Sequence, residues 1–120
     1  MTYVDGFVIP VPKKNKAAYT RMAKLGRKVW LDHGALSYIE AIADDAPWGK
    51  RTSFPRSVKL KKTETVWFSF ITYKSRKHRD AVMAKVMKDK RMAPYMAGTA
   101  KMPFDAKRMI FGGFKAVVEG

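Results

Sequence analysis

Apolar and polar positions alternate at two different periods along this chain, and the switches between them mark its elements. Residues 3–11 (YVDGFVIPV) set Tyr3, Asp5, Phe7, Ile9 and Val11 on one face and Val4, Gly6 and Val8 on the other. That is a strand with few polar positions on either side. Pro10 and Pro12, which lack a backbone N–H, confine its end to a sheet edge or an exit. The period then lengthens: Ala18, Met22, Leu25 and Val29 recur at steps of four, three and four, one face of an amphipathic helix. Gly34, just after His33, stands where a left-handed cap would stop it.

Residues 35–43 (ALSYIEAIA) return to the two-residue period, with Leu36, Tyr38, Glu40 and Ile42 against Ala35, Ser37, Ile39, Ala41 and Ala43. The stretch DDAPWGKRTSFPRS is rich in turn formers and reads as a long loop, with a short extended piece expected through Ser57–Leu60. Residues 65–73 (TVWFSFITY) are dense in β-branched and aromatic side chains and make the clearest strand of the chain. Ser75 is placed to cap a second helix running to about Lys90, with Val82 and Val86 inward, and Pro94 ends it or follows its end. After a loop to about Ala106, residues 107–119 form the last strand.

The order strand–helix–strand–strand–helix–strand, in a single domain spanning residues 1–120, implies a ferredoxin-like βαββαβ unit. This is an α+β fold with a four-stranded, mainly antiparallel sheet and two helices on one face. Two helices cover only one face, so the other should carry polar residues if it met water. Around Trp67, Phe68, Phe70, Ile71 and Tyr73 both parities are apolar, as they are at Ile110, Phe111, Phe114, Val117 and Val118. A bare face of that kind would exceed the roughly 300–600 Å² apolar patch of a typical monomer, which predicts face-to-face packing in a homodimer.

Charge adds a second expectation. Lys and Arg number 25 against 10 Asp and Glu, a formal +15. Seven of the basic residues fall between Lys13 and Lys28 and seven between Lys74 and Lys90, both helical stretches. They read as solvated helix faces; a surface of that sign also attracts polyanions, so nonspecific nucleic-acid binding and a non-catalytic scaffold with altered surface charge are the alternative readings. The absence of cysteine excludes disulfides and thiolate chemistry. No apolar run approaches the about 20 residues of a membrane span, and no basic-then-apolar leader opens the chain, so a cytoplasmic protein is expected.

The segments YVDGFVIPVP, SFPRSVK, ETVWFSFITYKSRKHRDAVMAKVM and MPFDAKRMIFGGF resemble the YbaA-like proteins, the family of domain of unknown function 1428. The resemblance spans essentially the whole chain. It implies a dimeric α/β barrel, whose superfamily includes small monooxygenases, haem-degrading enzymes and chlorite dismutase-like proteins. It carries over no catalytic residues. The chain departs from the family in being far more basic, and in Ala106 where the motif usually reads Phe-Asp-Gly-Lys-Arg-Met.

Barrels of this kind enclose a cavity between sheet and helices, and the expected function is binding of a small organic ligand there, with monooxygenase-like chemistry as an extension. Tyr3, Tyr38, Trp67 and Tyr73 are the candidate ligand-binding residues. Glu40, embedded in YIEAIA, is a candidate base: burial among apolar neighbours would raise its pKa, whereas an edge position or a Lys or Arg partner would not. His78, in the first turn of the second helix, is the candidate for a groove position or axial haem ligation. No motif requires a cofactor, and haem and flavin stay open. His33 and His78 lie on different helices without His-x-x-x-His or Glu-x-x-His spacing, so no metal site is expected.

In the closing motif, Gly112 and Gly113 precede a strand rather than a helix, which removes the phosphate-loop reading and leaves in-strand glycines at a close approach. Asp105 is expected to close the preceding turn by accepting backbone N–H bonds. Arg108 is the motif's candidate functional residue, positioned to pair with Asp5 or Glu40 across the sheet.

Overall fold

A computed structural model describes residues 1–96, 98 and 101–120. The elements are β1 (Tyr3–Pro12), α1 (Lys16–Asp32), β2 (Ser37–Ile42), α2 (Phe54–Ser57), β3 (Glu64–Tyr73), α3 (Arg76–Lys88), α4 (Ala93–Met96) and β4 (Ile110–Lys115). The strands form one antiparallel sheet in the order β2-β3-β1-β4. This is the ferredoxin-like α+β arrangement that the element order predicts. Among the described residues no helix is long and apolar enough to cross a membrane.

β1 is central, yet it holds two prolines. Its register explains how: β4 pairs with β1 only from Tyr3 to Val8, so Pro10 and Pro12 lie where β3 is the sole neighbour. Their missing N–H groups therefore interrupt no ladder on the open side. α1 ends in a Schellman motif: Gly34 takes φ +107°, its N–H donates to the Leu31 carbonyl at 3.1 Å, and the Ala35 N–H reaches back to Trp30 at 3.0 Å. Ser75 caps α3 as predicted, its hydroxyl accepting from the His78 N–H at 3.1 Å.

Two elements differ from expectation. The extended piece through Ser57–Leu60 is absent; Phe54–Ser57 is one helical turn instead. The Ser53 hydroxyl caps it through the Arg56 N–H at 3.1 Å, Pro55 occupies its first turn, and Lys59 closes it with φ 51°. Serine followed by proline two residues later is a helix-start signal, and a strong one for so short an element. The last strand is also shorter than 107–119: residues 106–108 form a turn, pairing begins at Ile110, and the chain leaves the sheet after Lys115. The predicted loop before it runs through residues 97, 99 and 100, which lie outside the described residues.

Between the sheet and α1 and α3 the core forms two clusters. One holds Val29, Trp30, Tyr73, Val82 and Val86; the other holds Ile9, Val11, Tyr19, Trp67 and Phe104. The opposite sheet face carries no long helix. Phe68, Ile110, Phe114 and Ile39 are exposed there, and the α2 residue Phe54 leans edge-on against Phe68.

Candidate functional site

On the helix-covered face, side chains fall into rows across the strands. One row runs Glu40, Ser69, Phe7, Phe111; the next runs Tyr38, Ile71, Asp5, Gly113. Above these rows lies a cavity of 350 Å³, roofed by residues of α1 and α3. Six of the chain's eight methionines line it: Met22, Met83, Met92, Met96, Met102 and Met109. Their unbranched, polarizable side chains adapt to irregular ligand shapes and favour aromatic contacts.

Glu40 is the polar centre. The Tyr19 hydroxyl donates to its Oε1 at 2.8 Å and the Tyr38 hydroxyl to its Oε2 at 2.9 Å. Burial raises the Glu40 pKa, and the two phenol hydrogen bonds bring it back only part of the way. The same burial, with the Glu40 carboxylate alongside, pushes both tyrosines far above the ordinary phenol range, so they act as donors. A raised, hydrogen-bonded carboxylate facing an apolar cavity can accept a proton or a hydrogen bond from a ligand. Glu40 and Tyr38 also line an outer groove between α1 and the edge strand β2, beside Lys16, Lys24 and Arg27. Glu40 thus stands in the wall between the two spaces.

The helix sequence makes room for this arrangement. Gly26 sits in the middle of α1, buried, where alanine would give a more stable helix. A Cβ at that position would stand 2.6 Å from the Tyr38 hydroxyl oxygen and 3.3 Å from the ring carbon bearing it. The missing side chain lets Tyr38 reach Glu40.

Two strands away lies the second polar group. Arg79 Nη1 donates to Asp5 Oδ1 at 2.9 Å, its Nε donates to Asp80 Oδ1 at 2.9 Å, and its guanidinium lies 5.1 Å from the Tyr3 ring centroid. Burial raises the Asp5 pKa, while the neighbouring Tyr73 hydroxyl and Arg79 oppose the shift. Burial alone would lower Arg79, but the two aspartates outweigh it and leave it raised. At this end, among the described residues, Trp30 Nε1 in the cavity wall and the Tyr73 hydroxyl are buried donors without a close, well-aligned partner, although the Tyr73 hydroxyl lies near enough to Asp5 to favour its charged form.

Of the residues that the sequence singles out, the cavity unites Glu40 and Tyr38. Tyr3 packs on Gly113 and Arg79 at the margin. Trp67 is core, its ring tilted against Tyr19 at 4.7 Å, and it lines the outer groove. Tyr73 is fully buried. His78 serves the start of α3: its Nδ1 accepts from the Lys74 N–H at 2.9 Å, and its ring meets Tyr73 edge-on. His33 pairs with Asp89 at 2.7 Å across the ends of α1 and α3.

Arg108 reaches neither Asp5 nor Glu40. It grips buried Glu64 through Nη1 and Nη2, donates from Nε to the Asp105 carboxylate at 2.9 Å, and donates to the Val58 and Lys59 carbonyls. The reason is register: Arg108 precedes β4, whose pairing with β1 begins only at Ile110. Asp105 does close the turn as predicted, accepting the Lys107 N–H at 3.1 Å. Among the described residues no group of three or more histidines and carboxylates is gathered as a metal site would require.

Sequence reasoning missed Tyr19, Gly26, Ser69 and Arg79. The inward stripe of α1 is Tyr19, Ala23, Gly26, Val29 and Trp30, turned by about one residue from the predicted one. A glycine at mid-helix was the signal available for that face.

The chain is similar to proteins of one family along nearly its whole length. The model of the family described as "Protein of unknown function (DUF1428)" matches residues 2–106. Two relatives, both the uncharacterized protein YbaA, come from Escherichia coli (strain K12) and Shigella flexneri; each is 44% identical over 119 residues, 99% of this chain and 99% of the relative. Among solved structures, a dimeric ferredoxin-like protein from an uncultured marine organism aligns with a TM-score of 0.61 at 12% identity, over 99% of this chain and 98% of that one. Rv0793 from Mycobacterium tuberculosis aligns with a TM-score of 0.59 at 11% identity, over the same shares. At such identities these two structures speak to the fold alone.

Proposed function

The chain belongs to the DUF1428 family, proteins of unknown function, and from that premise we propose that it binds a small, largely apolar organic ligand in the cavity between sheet and helices. One observation carries the reading: 350 Å³ of space lined by aromatic and methionine side chains, with Glu40 held in its wall by two tyrosines. Such a pocket, apolar with a few convergent polar groups, is the usual form of a small-molecule site. Glu40 is the polar anchor, and on a monooxygenase-like extension it is the residue placed to take a proton from the ligand. Calorimetric titration with a neutral aromatic probe such as naphthylmethanol tests it. Binding by the wild type, lost in a Met22→Trp variant that fills the cavity but melts normally, supports the reading. No binding by the wild type of this probe or of its ammonium and carboxylate analogues overturns it.

The working unit is a homodimer that closes a barrel by packing sheet on sheet. What supports this is the sheet face without a long helix, where Val4, Phe68, Phe70, Ile110 and Phe114 line an apolar hollow, and the dimeric state of the marine ferredoxin-like neighbour. Sedimentation of the wild type at the mass of one chain would sink it.

Polyanion binding is the second reading. All seven basic residues between Lys13 and Lys28 are exposed, as are six of the seven between Lys74 and Lys90. Anisotropy of a labelled DNA or RNA at two salt concentrations tests it, because counterion release makes such binding steeply salt-sensitive. No binding at low salt removes it.

A further inference from the structure

The charges lining the cavity differ in sign from those of the molecule around it. The chain carries a formal +15, and Lys16, Lys24 and Arg27 flank the outer groove. Inside, the lining holds two carboxylates, Asp5 and Glu40, and one guanidinium, Arg79. The cavity therefore has one more negative than positive group. Arg79 is already engaged by Asp5 and Asp80. Glu40, in contrast, has only the neutral hydroxyls of Tyr19 and Tyr38, and among the described residues it joins no ion pair.

A carboxylate partly withdrawn from water, as half-buried Glu40 is, is costly without a paired countercharge, and a cation delivered to it offsets that cost. The side chains around Glu40 suit one kind of cation. Tyr19 stands edge-on to Phe104 at 5.7 Å and Trp30 is tilted on Tyr38 at 6.0 Å, so each tyrosine that holds the carboxylate is backed by a further aromatic ring. Ring faces attract ammonium groups, and desolvated sites strengthen the attraction. The methionines supply soft, apolar surface for the rest of the molecule. An anionic ligand would meet Glu40 with like charge, and a neutral one would leave it uncompensated. The exposed lysines and arginines act on the cavity more weakly than Glu40 does, because at physiological salt their charges are screened over roughly 8 Å.

Resting on the reading of this cavity as a ligand site, we infer that the ligand is an organic cation, an apolar or aromatic amine or ammonium compound. Its charge is neutralised by Glu40 and its body lies among the aromatic and methionine side chains.

Three probes of one shape test this by calorimetry near neutral pH: naphthylmethylammonium, naphthylmethanol and naphthoate. The ammonium is expected to bind the wild type at least about tenfold more tightly than the alcohol, with naphthoate weakest. In Glu40→Gln that preference is expected to vanish while the alcohol still binds. Should Glu40→Gln fail to fold, Tyr38→Phe serves instead: it keeps the charge, so the preference must persist. Equal binding of ammonium and alcohol, tighter binding of naphthoate, or a preference that survives Glu40→Gln overturns the inference and leaves the cavity reading standing. Binding of none of the three overturns both.

Discussion

The Tyr38 hydroxyl rests on the bare Cα of Gly26, and the hydrogen bond from Tyr38 to Glu40 depends on that contact. Gly26→Ala sets two effects against each other. Helix propensity favours alanine by about 1 kcal/mol, while the new methyl group would sit 2.6 Å from the phenol oxygen. The ring is packed and cannot swing away as a lysine tip would, so crowding is expected to win, with a net loss of roughly 1 kcal/mol. In a Tyr38→Phe background the oxygen is gone and the same substitution should become neutral or stabilising. A double-mutant cycle by urea denaturation measures the coupling; additive effects would show that the two residues do not crowd each other.

Glu40 predicts a pH dependence with a definite sign. Its folded pKa is raised, so the folded state holds its proton at pH values where the unfolded chain has lost it. Stability from this group is then greatest at low pH and falls as pH rises from the ordinary glutamate range, about 4.3, through the folded value. Glu40→Gln removes the dependence. The variant should gain stability relative to wild type on going from acid to neutral pH, as measured by denaturant midpoints at both. A difference that does not change with pH refutes the raised value.

The sheet was legible in the sequence because its strands are apolar on both faces, which marks their presence even without alternation, though not the ends of β4, expected over 107–119 and found over Ile110–Lys115. The site was legible only in part. Glu40 stands out as a carboxylate inside YIEAIA, and Tyr38 shares its parity, so two-residue periodicity alone puts them together. Their third partner, Tyr19, arrives from a helix, and its direction depends on a rotation of α1 that apolar spacing leaves uncertain by one residue. The six methionines come from four separate stretches of chain, and only the folded packing gathers them. Arg108 shows the opposite difficulty. Its sequence position permitted several acidic partners, and the choice of Glu64 follows from where β4 begins to pair.

Arg108 and Glu64 form a latch between the turn before β4 and the start of β3. The Glu64 side chain is 4% exposed and that of Arg108 16%, so truncating one strands the other. Arg108→Ala should cost about 3–5 kcal/mol, the range for breaking a buried ion pair, and should be read as a fall in melting temperature. Arg108 lowers the Glu64 pKa, opposite in sign to Glu40. The latch therefore stabilises above the ordinary glutamate range and is lost as pH falls through the folded value. A wild-type melting temperature in Arg108→Ala would show the latch to be dispensable.

The exposed face makes a separable prediction about assembly. Phe114 is 64% exposed and contributes little to the core of one chain. Phe114→Asp should leave the melting cooperative but shift sedimentation from two chains to one. Unchanged sedimentation in the variant, with a dimeric wild type, would place the interface on another surface.

Gly112 and Gly113 are neighbours with opposite tolerances, because successive residues of β4 face opposite sides of the sheet. A Cβ at Gly113 would stand 2.8 and 2.9 Å from Tyr3 ring carbons, closer than real side chains come. The ring is buried and packed against the Arg79 guanidinium at 5.1 Å, so moving it aside disturbs that contact. At Gly112 the nearest atoms belong to the exposed Phe114 ring, at 3.5 Å, an ordinary contact. Gly113→Ala should therefore destabilise by about 1–3 kcal/mol, as overpacking does, and Gly112→Ala by well under about 1 kcal/mol. Removing the ring with Tyr3→Ala should abolish the penalty at Gly113 specifically. Equal effects at the two glycines, or no rescue by Tyr3→Ala, would mean that strand propensity rather than the Tyr3 ring selects glycine here.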